Sequence, residues 1–217
     1  MNMFKLFAGV FAAAVFITSC TIEQNFHFRN DFSGSYAIKV DMSAMEAFGD
    51  MDSTATEEEP DSMFTAEDVQ EFRTHYNSLE GISNADASYN EGVLDASYDF
   101  ASLDALNRAQ ESSPDGEDVE GGAESPRLFI FRRTANGLEI DVDRGFMDSE
   151  TEESSAEDIE MMDGMLTISG VMTFEKPVKS VKGDIATLDA ESNSVTIKVL
   201  FSDIYNKEKN LTTVIGF

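Results

Sequence analysis

Apolar side chains fall on every second position along much of this chain, and glycine-containing turns separate the alternating stretches. A period of two places such side chains on one face of a β-strand, and a glycine turn between two such runs predicts a β-hairpin. The first hairpin turns at Ser33-Gly34-Ser35, and its apolar residues are Ile22, Phe26, Phe28, Phe32, Tyr36, Ile38, Val40 and Met42. The alternation therefore favours a sheet-rich fold in which one face of each hairpin is buried.

Two further hairpins are predicted downstream. One turns at Asn90-Glu91-Gly92, between the alternating residues Ala85, Ala87, Tyr89 and Leu94, Ala96, Tyr98, Phe100. The other turns at Asn136-Gly137, because Asn-Gly is the strongest short hairpin signal. With these two residues at the centre of the turn, Ala135 lies opposite Leu138, Phe131 opposite Val142, and Arg132 opposite Asp141. This register gives a buried face of Phe129, Phe131, Ile140 and Val142, and an Arg132–Asp141 cross-strand pair on the other face.

Short helices and more strands complete the pattern. Thr65 and Asp68 form a capping-box variant before a helix from Ala66 to Leu79, and Ser102 caps a brief helix from Leu103 to Gln110. A helical turn is predicted around residues 43–48 and a short turn at 202–206. A last strand is predicted from Leu211 to Ile215. The other alternating residues in the second half of the chain are Leu166, Ile168, Met172, Phe174, Val195, Ile197, Val199 and Phe201. The predicted class is α+β, mostly antiparallel β-hairpins with two or three short helices and acidic loop insertions.

Acidic residues are concentrated in three low-complexity tracts, near 46–61, 111–124 and 148–163. Each tract lies between periodic segments, so we interpret them as solvated loops inserted in a single domain over residues 20–217. The chain has 42 Asp and Glu against 15 Lys and Arg, a net charge of −27. Such a charge repels phosphate backbones, and we expect no binding of nucleic acid.

Residues 1–19 have the organisation of a secretory signal, with Lys5 before the apolar run Leu6 to Ile17. This run is too short to span a bilayer as a helix. Ile17-Thr18-Ser19-Cys20 resembles the lipobox of bacterial lipoproteins, in which the cysteine is acylated and becomes the first mature residue. The alternative is an ordinary signal peptide that leaves Cys20 as a thiol. With a lipid anchor at Cys20, a few flexible residues after it would separate the acidic body from the bilayer.

Two stretches together resemble the LppM-like group of bacterial lipoproteins. They are Tyr98-Asp99-Phe100-Ala101-Ser102-Leu103-Asp104-Ala105-Leu106-Asn107, and Pro177-Val178-Lys179-Ser180-Val181-Lys182-Gly183 within Met165 to Phe217. This chain departs from the group at Pro177, in lacking tryptophan and in the length of its acidic tracts. The resemblance implies an α+β domain behind a lipobox, and the group has no established enzymatic activity whose residues could be assigned here.

Residues suited to catalysis or metal binding do not form a recognisable motif. The two histidines, His27 and His75, are predicted to be surface residues, and no G-x-S-x-G elbow is present. Asp141-Val142-Asp143 with Glu152 is a weak match to a calcium loop, because position five lacks its acid and the glycine is one place early. We therefore predict no catalytic, cofactor or specific metal site, and only weak calcium binding by the acidic tracts.

The expected function is that of a non-enzymatic lipoprotein, attached to the bacterial cell envelope and specifically to the outer membrane through Cys20. Its domain would bind an unknown envelope protein or contribute to envelope structure. Two alternatives remain open. A carboxylate-dependent hydrolase of envelope polysaccharide or lipid requires a concave site with at least two acids from outside the three tracts. A calcium-dependent surface or adhesion module requires stabilisation by calcium.

Overall fold

The computed structural model describes residues 20–41, 65–112, 128–144, 163 and 166–217. These residues form eleven β-strands and three short helices, which confirms the predicted α+β class. The strands are β1 (Cys20–Phe28), β2 (Gly34–Asp41), β3 (Ile82–Asn90), β4 (Val93–Phe100), β5 (Phe129–Thr134), β6 (Gly137–Val142), β7 (Leu166–Phe174), β8 (Ser180–Lys182), β9 (Ala186–Asp189), β10 (Ser194–Val199) and β11 (Thr212–Gly216). The helices are α1 (Ala66–Ser78), α2 (Leu103–Glu111) and α3 (Phe201–Tyr205).

Several predictions fall outside these residues. The tract near 46–61 and the helical turn at 43–48 lie outside them entirely. Of the other two tracts, only residues 111–112 and 163 are described.

The strands form two sheets. The seven-stranded sheet has the order β3-β4-β2-β1-β7-β10-β9, and the four-stranded sheet has the order β5-β6-β11-β8. The β1–β7 pair is parallel, from Cys20 opposite Leu166 to Phe28 opposite Phe174. The other pairs in the described residues are antiparallel.

The first two predicted hairpins are confirmed. The even-numbered Phe26, Phe28 and Tyr36 are buried, as predicted. Strands β1 and β2 pair from Phe28–Gly34 outward, so the turn spans residues 29–33 and its predicted position at Ser33-Gly34-Ser35 is wrong. Gly34 belongs to the strand, where a Cβ atom would lie 1.8 Å from the His27 carbonyl oxygen. Strands β3 and β4 pair from Asn90–Val93, so their turn lies at the predicted position.

Aromatic side chains join the two sheets. The Phe26 ring of the large sheet lies 5.0 Å from that of Phe131 in the small sheet, and the Phe28 ring lies 5.6 Å from it. Phe28 and Phe174, on the parallel strands, stack at 5.3 Å. Because each buried aromatic ring removes on the order of 150–250 Å² from water, this cluster dominates the core between the sheets.

The predicted register of the third hairpin is wrong by two residues. In the structure Phe131 lies opposite Ile140 and Thr134 opposite Gly137, so the turn residues are Ala135 and Asn136. Gly137 instead pairs with Gly216 of β11, and a Cβ atom on Gly137 would lie 1.7 Å from the carbonyl oxygen of Ile215. The glycine is therefore needed for the close approach of β11.

A shift of two residues preserves the faces of the hairpin. The predicted buried set is confirmed, and its members are Phe129, Phe131, Ile140 and Val142. Arg132 lies opposite Glu139 rather than Asp141, yet its guanidinium bonds to both carboxylates.

Near the C-terminus, the alternation of apolar residues that predicted a strand continues past the end of that strand in the structure. Strand β10 ends at Val199, and Phe201 begins α3 instead of continuing the strand. The Asp203 carboxylate accepts a hydrogen bond from the backbone N–H of Leu200 at 3.3 Å, which favours a helical start at this point.

The caps of the first two helices are confirmed. The Thr65 hydroxyl accepts a bond from the Asp68 N–H at 3.2 Å, and the Thr65 N–H donates to the Asp68 carboxylate at 2.6 Å. The Ser102 hydroxyl accepts a bond from the Ala105 N–H at 3.2 Å. Helix α1 ends one residue earlier than predicted and α2 one residue later.

Each of these helices is fastened to an edge strand by one asparagine. The Asn77 amide of α1 donates to the Ala85 carbonyl and accepts from the Ala85 N–H, both at 3.0 Å. The Asn107 amide of α2 donates to the Phe131 carbonyl at 2.8 Å and accepts from the Phe131 N–H at 3.0 Å. These side chains satisfy backbone groups that edge strands otherwise leave open.

The residues directly after Cys20 form a strand rather than a flexible spacer. Strand β1 begins at Cys20, which pairs with Leu166 on one side, and Thr21 pairs with Asp41 on the other. Pairing on both sides holds this backbone in the sheet from Thr21 onward.

Candidate functional site

A cleft of about 480 Å³ opens where three segments meet. These segments are the β1–β2 turn, the first turns of α2, and β5 with the residues next to its end. Its polar lining consists of Asp31, Ser102, Asp104, Asn107, Arg132 and Arg133. The apolar side chains of Phe32 and Leu103 also line it.

The β1–β2 turn holds a carboxylate in a defined position at the cleft. The Asp31 carboxylate accepts hydrogen bonds from the Ser33 hydroxyl at 2.7 Å and the Ser33 N–H at 3.0 Å. These bonds favour the charged form and hold the pKa of Asp31 below its ordinary value of 3.8. Asp31 is therefore an ionised hydrogen-bond acceptor near neutral pH.

Phe32, which follows Asp31, has a left-handed backbone conformation with φ of 67°. This region is unfavourable for a bulky side chain, so the surrounding contacts must compensate for the strain. The Phe32 ring packs 5.8 Å from the Phe217 ring, and the Arg133 guanidinium lies 5.3 Å from its centroid. Phe32 thus supports the Arg133 guanidinium at the cleft.

The two arginines of the cleft differ in their partners. Arg132 bonds to Asp141 and Glu139, and hydrogen bonding to Asp141 raises the pKa of the Arg132 guanidinium. Arg133 forms no ion pair with a carboxylate of the described residues, and its recorded contact is the cation–π interaction with Phe32. Arg133 is therefore the guanidinium with hydrogen-bonding capacity left for a ligand.

Some α2 side chains hold the helix against the rest of the domain, and others line the cleft. Asn107 is committed to the backbone of Phe131, and Leu103 and Leu106 are buried in the core. Asp104 is exposed and adds a second carboxylate to the cleft. The cleft thus offers two carboxylates and one guanidinium, a set suited to a polar ligand with both donor and acceptor groups.

The structure places the sequence-predicted residues apart from this cleft. Cys20 begins β1. His27 is exposed, as predicted, whereas His75 is only half-exposed; its ring lies 5.1 Å from Tyr76, and its Nε2 makes no hydrogen bond with the described residues. Asp141 bonds to Arg132 rather than projecting into a loop, and Glu152 lies outside the described residues.

The described residues hold neither a metal-binding cluster nor a membrane-spanning helix. They contain no group of three or more His, Cys, Asp or Glu side chains arranged to hold a metal ion. No helix among them has the length and apolarity to cross a membrane.

Sequence reasoning missed the cleft because its residues come from three distant segments without a shared motif. One signal was present in the stretch Leu103-Asp104-Ala105-Leu106-Asn107. In this stretch the leucines are buried, Asn107 clamps β5 and Asp104 lines the cleft. Asp31 and Arg133 carried no comparable local signal.

No protein-family model and no curated protein matches this chain. Among solved structures, the chain is similar to the NMR structure of the folded domain of LppM from Mycobacterium tuberculosis, with 10% identity and a TM-score of 0.39, covering 92% of this chain and 90% of that chain. Similarity at this level does not assign the chain to a family, so the predicted LppM-like resemblance stays a prediction.

Proposed function

We propose that this protein is a lipoprotein of the bacterial cell envelope, anchored in the outer membrane by acyl chains on Cys20. The observation that supports the anchor is the sequence Ile17-Thr18-Ser19-Cys20, at the end of the apolar run Leu6 to Ile17 in the signal-peptide pattern of residues 1–19. Cleavage before Cys20 would leave every strand of the described domain intact.

We further propose that the anchored domain is a non-enzymatic binding module for a component of the envelope. The cleft beside Asp31 and Arg133 is its candidate binding site. The lowered pKa of Asp31 suits a hydrogen-bond acceptor and does not suit a general acid, which needs a raised pKa. Arg133 supplies the complementary donor.

Incorporation of radiolabelled palmitate tests the anchor. Cells that express the full chain are expected to label it, and the Cys20→Ala variant is expected to carry no label because the acceptor sulfur is absent. A His27→Ala variant, altered at an exposed position on the same strand, should label like the wild type. Label on the Cys20→Ala protein would contradict the proposal.

A second candidate function is a carboxylate-dependent hydrolase of envelope polysaccharide or lipid. The observation that favours it is the presence of Asp31 and Asp104 in one cleft, both outside the three acidic tracts. In such an enzyme Asp31 would act as base or nucleophile and Asp104 as acid. Hydrolysis of isolated envelope glycan or lipid that is lost in both Asp31→Asn and Asp104→Asn, and kept in Asp99→Asn, would support this function over the binding module.

A further inference from the structure

The register of the large sheet defines which of its two ends lies beside Cys20. Thr21 pairs with Asp41 at the end of β2, and Asp41 pairs with Val93 at the start of β4. Cys20 pairs with Leu166 at the start of β7. The β3–β4 turn and the end of β10 belong to the same end, because Asn90 pairs with Val93 and Val199 with Ile168. We call this surface the anchor end.

The cleft lies at the opposite end of the same sheet. Phe28 pairs with Gly34, which pairs with Phe100, and the cleft residues Asp31 and Ser102 lie just beyond these positions. Strand β1 has nine residues. At roughly 3.3 Å per residue, the two ends of β1 are about 26 Å apart.

Side-chain hydrogen bonds hold the described segments next to β7 and β10 at the anchor end. The Arg144 guanidinium donates to the carbonyls of Asn206 at 3.0 Å and Lys209 at 2.6 Å, which holds the segment after α3. The Asp163 carboxylate accepts from the Ser202 N–H at 3.0 Å and ties the start of α3 to the residues before β7. Segments on one side of Cys20 are thus fixed to the body of the domain.

We infer that the anchor end is the part of the domain nearest to the membrane that holds the acyl chains, and that the cleft faces away from it. This inference rests on the proposed anchor at Cys20 and adds the orientation of the domain. The physical reason is the short connection: Cys20 pairs with Leu166 of β7, and Thr21 is paired on both sides, so no flexible residues separate the acylated cysteine from the sheet. The cleft then takes its ligand from the aqueous compartment, not from the anchoring leaflet.

Fluorescence quenching at two matched turns tests the orientation. Glu91 lies in the β3–β4 turn at the anchor end, and Glu191 lies in the β9–β10 turn at the far end; both are exposed. The lipidated full chain, as Glu91→Cys or Glu191→Cys, is labelled with a maleimide fluorophore; acylated Cys20 does not react. It is reconstituted in phosphatidylethanolamine–phosphatidylglycerol vesicles with a nitroxide quencher on the headgroups. Quenching at position 91 is expected to exceed that at 191 several-fold.

The outcomes separate the orientation from the anchor. Protein that floats with the vesicles but is quenched equally at both positions, or more at 191, overturns the orientation and leaves the anchor standing. Protein that does not float overturns both. Ten Gly-Ser residues inserted between Cys20 and Thr21 should preserve flotation and reduce the difference between the two positions. A difference that the insertion leaves unchanged would contradict the role of the short connection.

Discussion

At the residue scale, two asparagine side chains form the backbone hydrogen bonds that a further strand would form with the edge strands β3 and β5. Asn77 bonds to both backbone groups of Ala85, and Asn107 bonds to both backbone groups of Phe131. Each amide reproduces the paired donor and acceptor of a strand residue, so each helix is positioned by hydrogen bonds as well as by apolar contact. Because Asn107 links α2 to β5, it also sets the separation of two walls of the cleft.

Replacement of Asn107 should therefore lower stability. In Asn107→Ala the N–H and C=O of Phe131 lose their partner, and an unsatisfied backbone group costs about 1–3 kcal/mol. We expect urea denaturation to show a loss of about this size. Asn25→Ala is the matched control, since the Asn25 amide bonds only to the exposed Glu23 side chain at 2.8 Å. Equal unfolding midpoints for the two variants would contradict the role assigned to Asn107.

The Ser33 hydroxyl should determine the ionisation of Asp31. Its hydrogen bond is the largest contribution to the lowered pKa of Asp31, so Ser33→Ala should raise that pKa toward 3.8. A lowered pKa stabilises the folded state above the unfolded value, and this stabilisation is lost as pH falls through the lower folded value. NMR titration of the Asp31 side chain measures the change, with Ser35→Ala as control. An Asp31 pKa unchanged by Ser33→Ala would show that the turn does not act on the carboxylate.

At the element scale, local signals were sufficient for hairpins and caps. The Gly92 turn, the Thr65–Asp68 box and the Ser102 cap depend on neighbouring residues, and all are in the structure as predicted. The first hairpin forms as well, but it turns at residues 29–33 rather than at Gly34. The parallel β1–β7 pair was not predictable in this way, because it joins segments more than a hundred positions apart in the sequence.

The third hairpin shows why its register was missed. Asn136-Gly137 has the composition of a two-residue turn, but neither residue has a positive φ, and Gly137 is required by β11 instead. The predicted turn type needs positive φ at both positions. Strand β11 lies at the far end of the chain, so the residues around 137 contain no local sequence signal of this contact.

Substitutions in this hairpin distinguish the two explanations. Gly137→Ala places a methyl group against the Ile215 carbonyl, and we expect a loss of about 1–3 kcal/mol or more from overpacking. Asn136→Ala should change stability by less than about 0.5 kcal/mol, because Asn136 is exposed and has no positive φ. Thermal unfolding of both proteins gives the comparison. Similar losses in both variants would favour the Asn-Gly turn and contradict the observed register.

At the scale of the whole molecule, the lipid attachment site was predicted from the sequence, whereas the cleft is visible only in the structure. Cys20 was identified from its immediate neighbours, whereas the cleft depends on Asp31, Asp104 and Arg133, which only the packing of α2 against β5 brings together. The same fold separates these two features, with Cys20 at one end of the large sheet and Asp31 beyond the other. An anchored domain of this shape would present its cleft to the aqueous compartment.

Mass spectrometry of the native protein purified from membranes tests the lipid anchor most directly. The account predicts an N-terminal peptide that begins at Cys20 and carries the mass of a thioether-linked diacylglyceryl group. Digestion with a lipase should remove the acyl chains and shift the peptide mass accordingly, while the rest of the chain stays unchanged. An unmodified Cys20 thiol, or a mature chain that begins at another residue, would contradict the anchor and the orientation inferred from it.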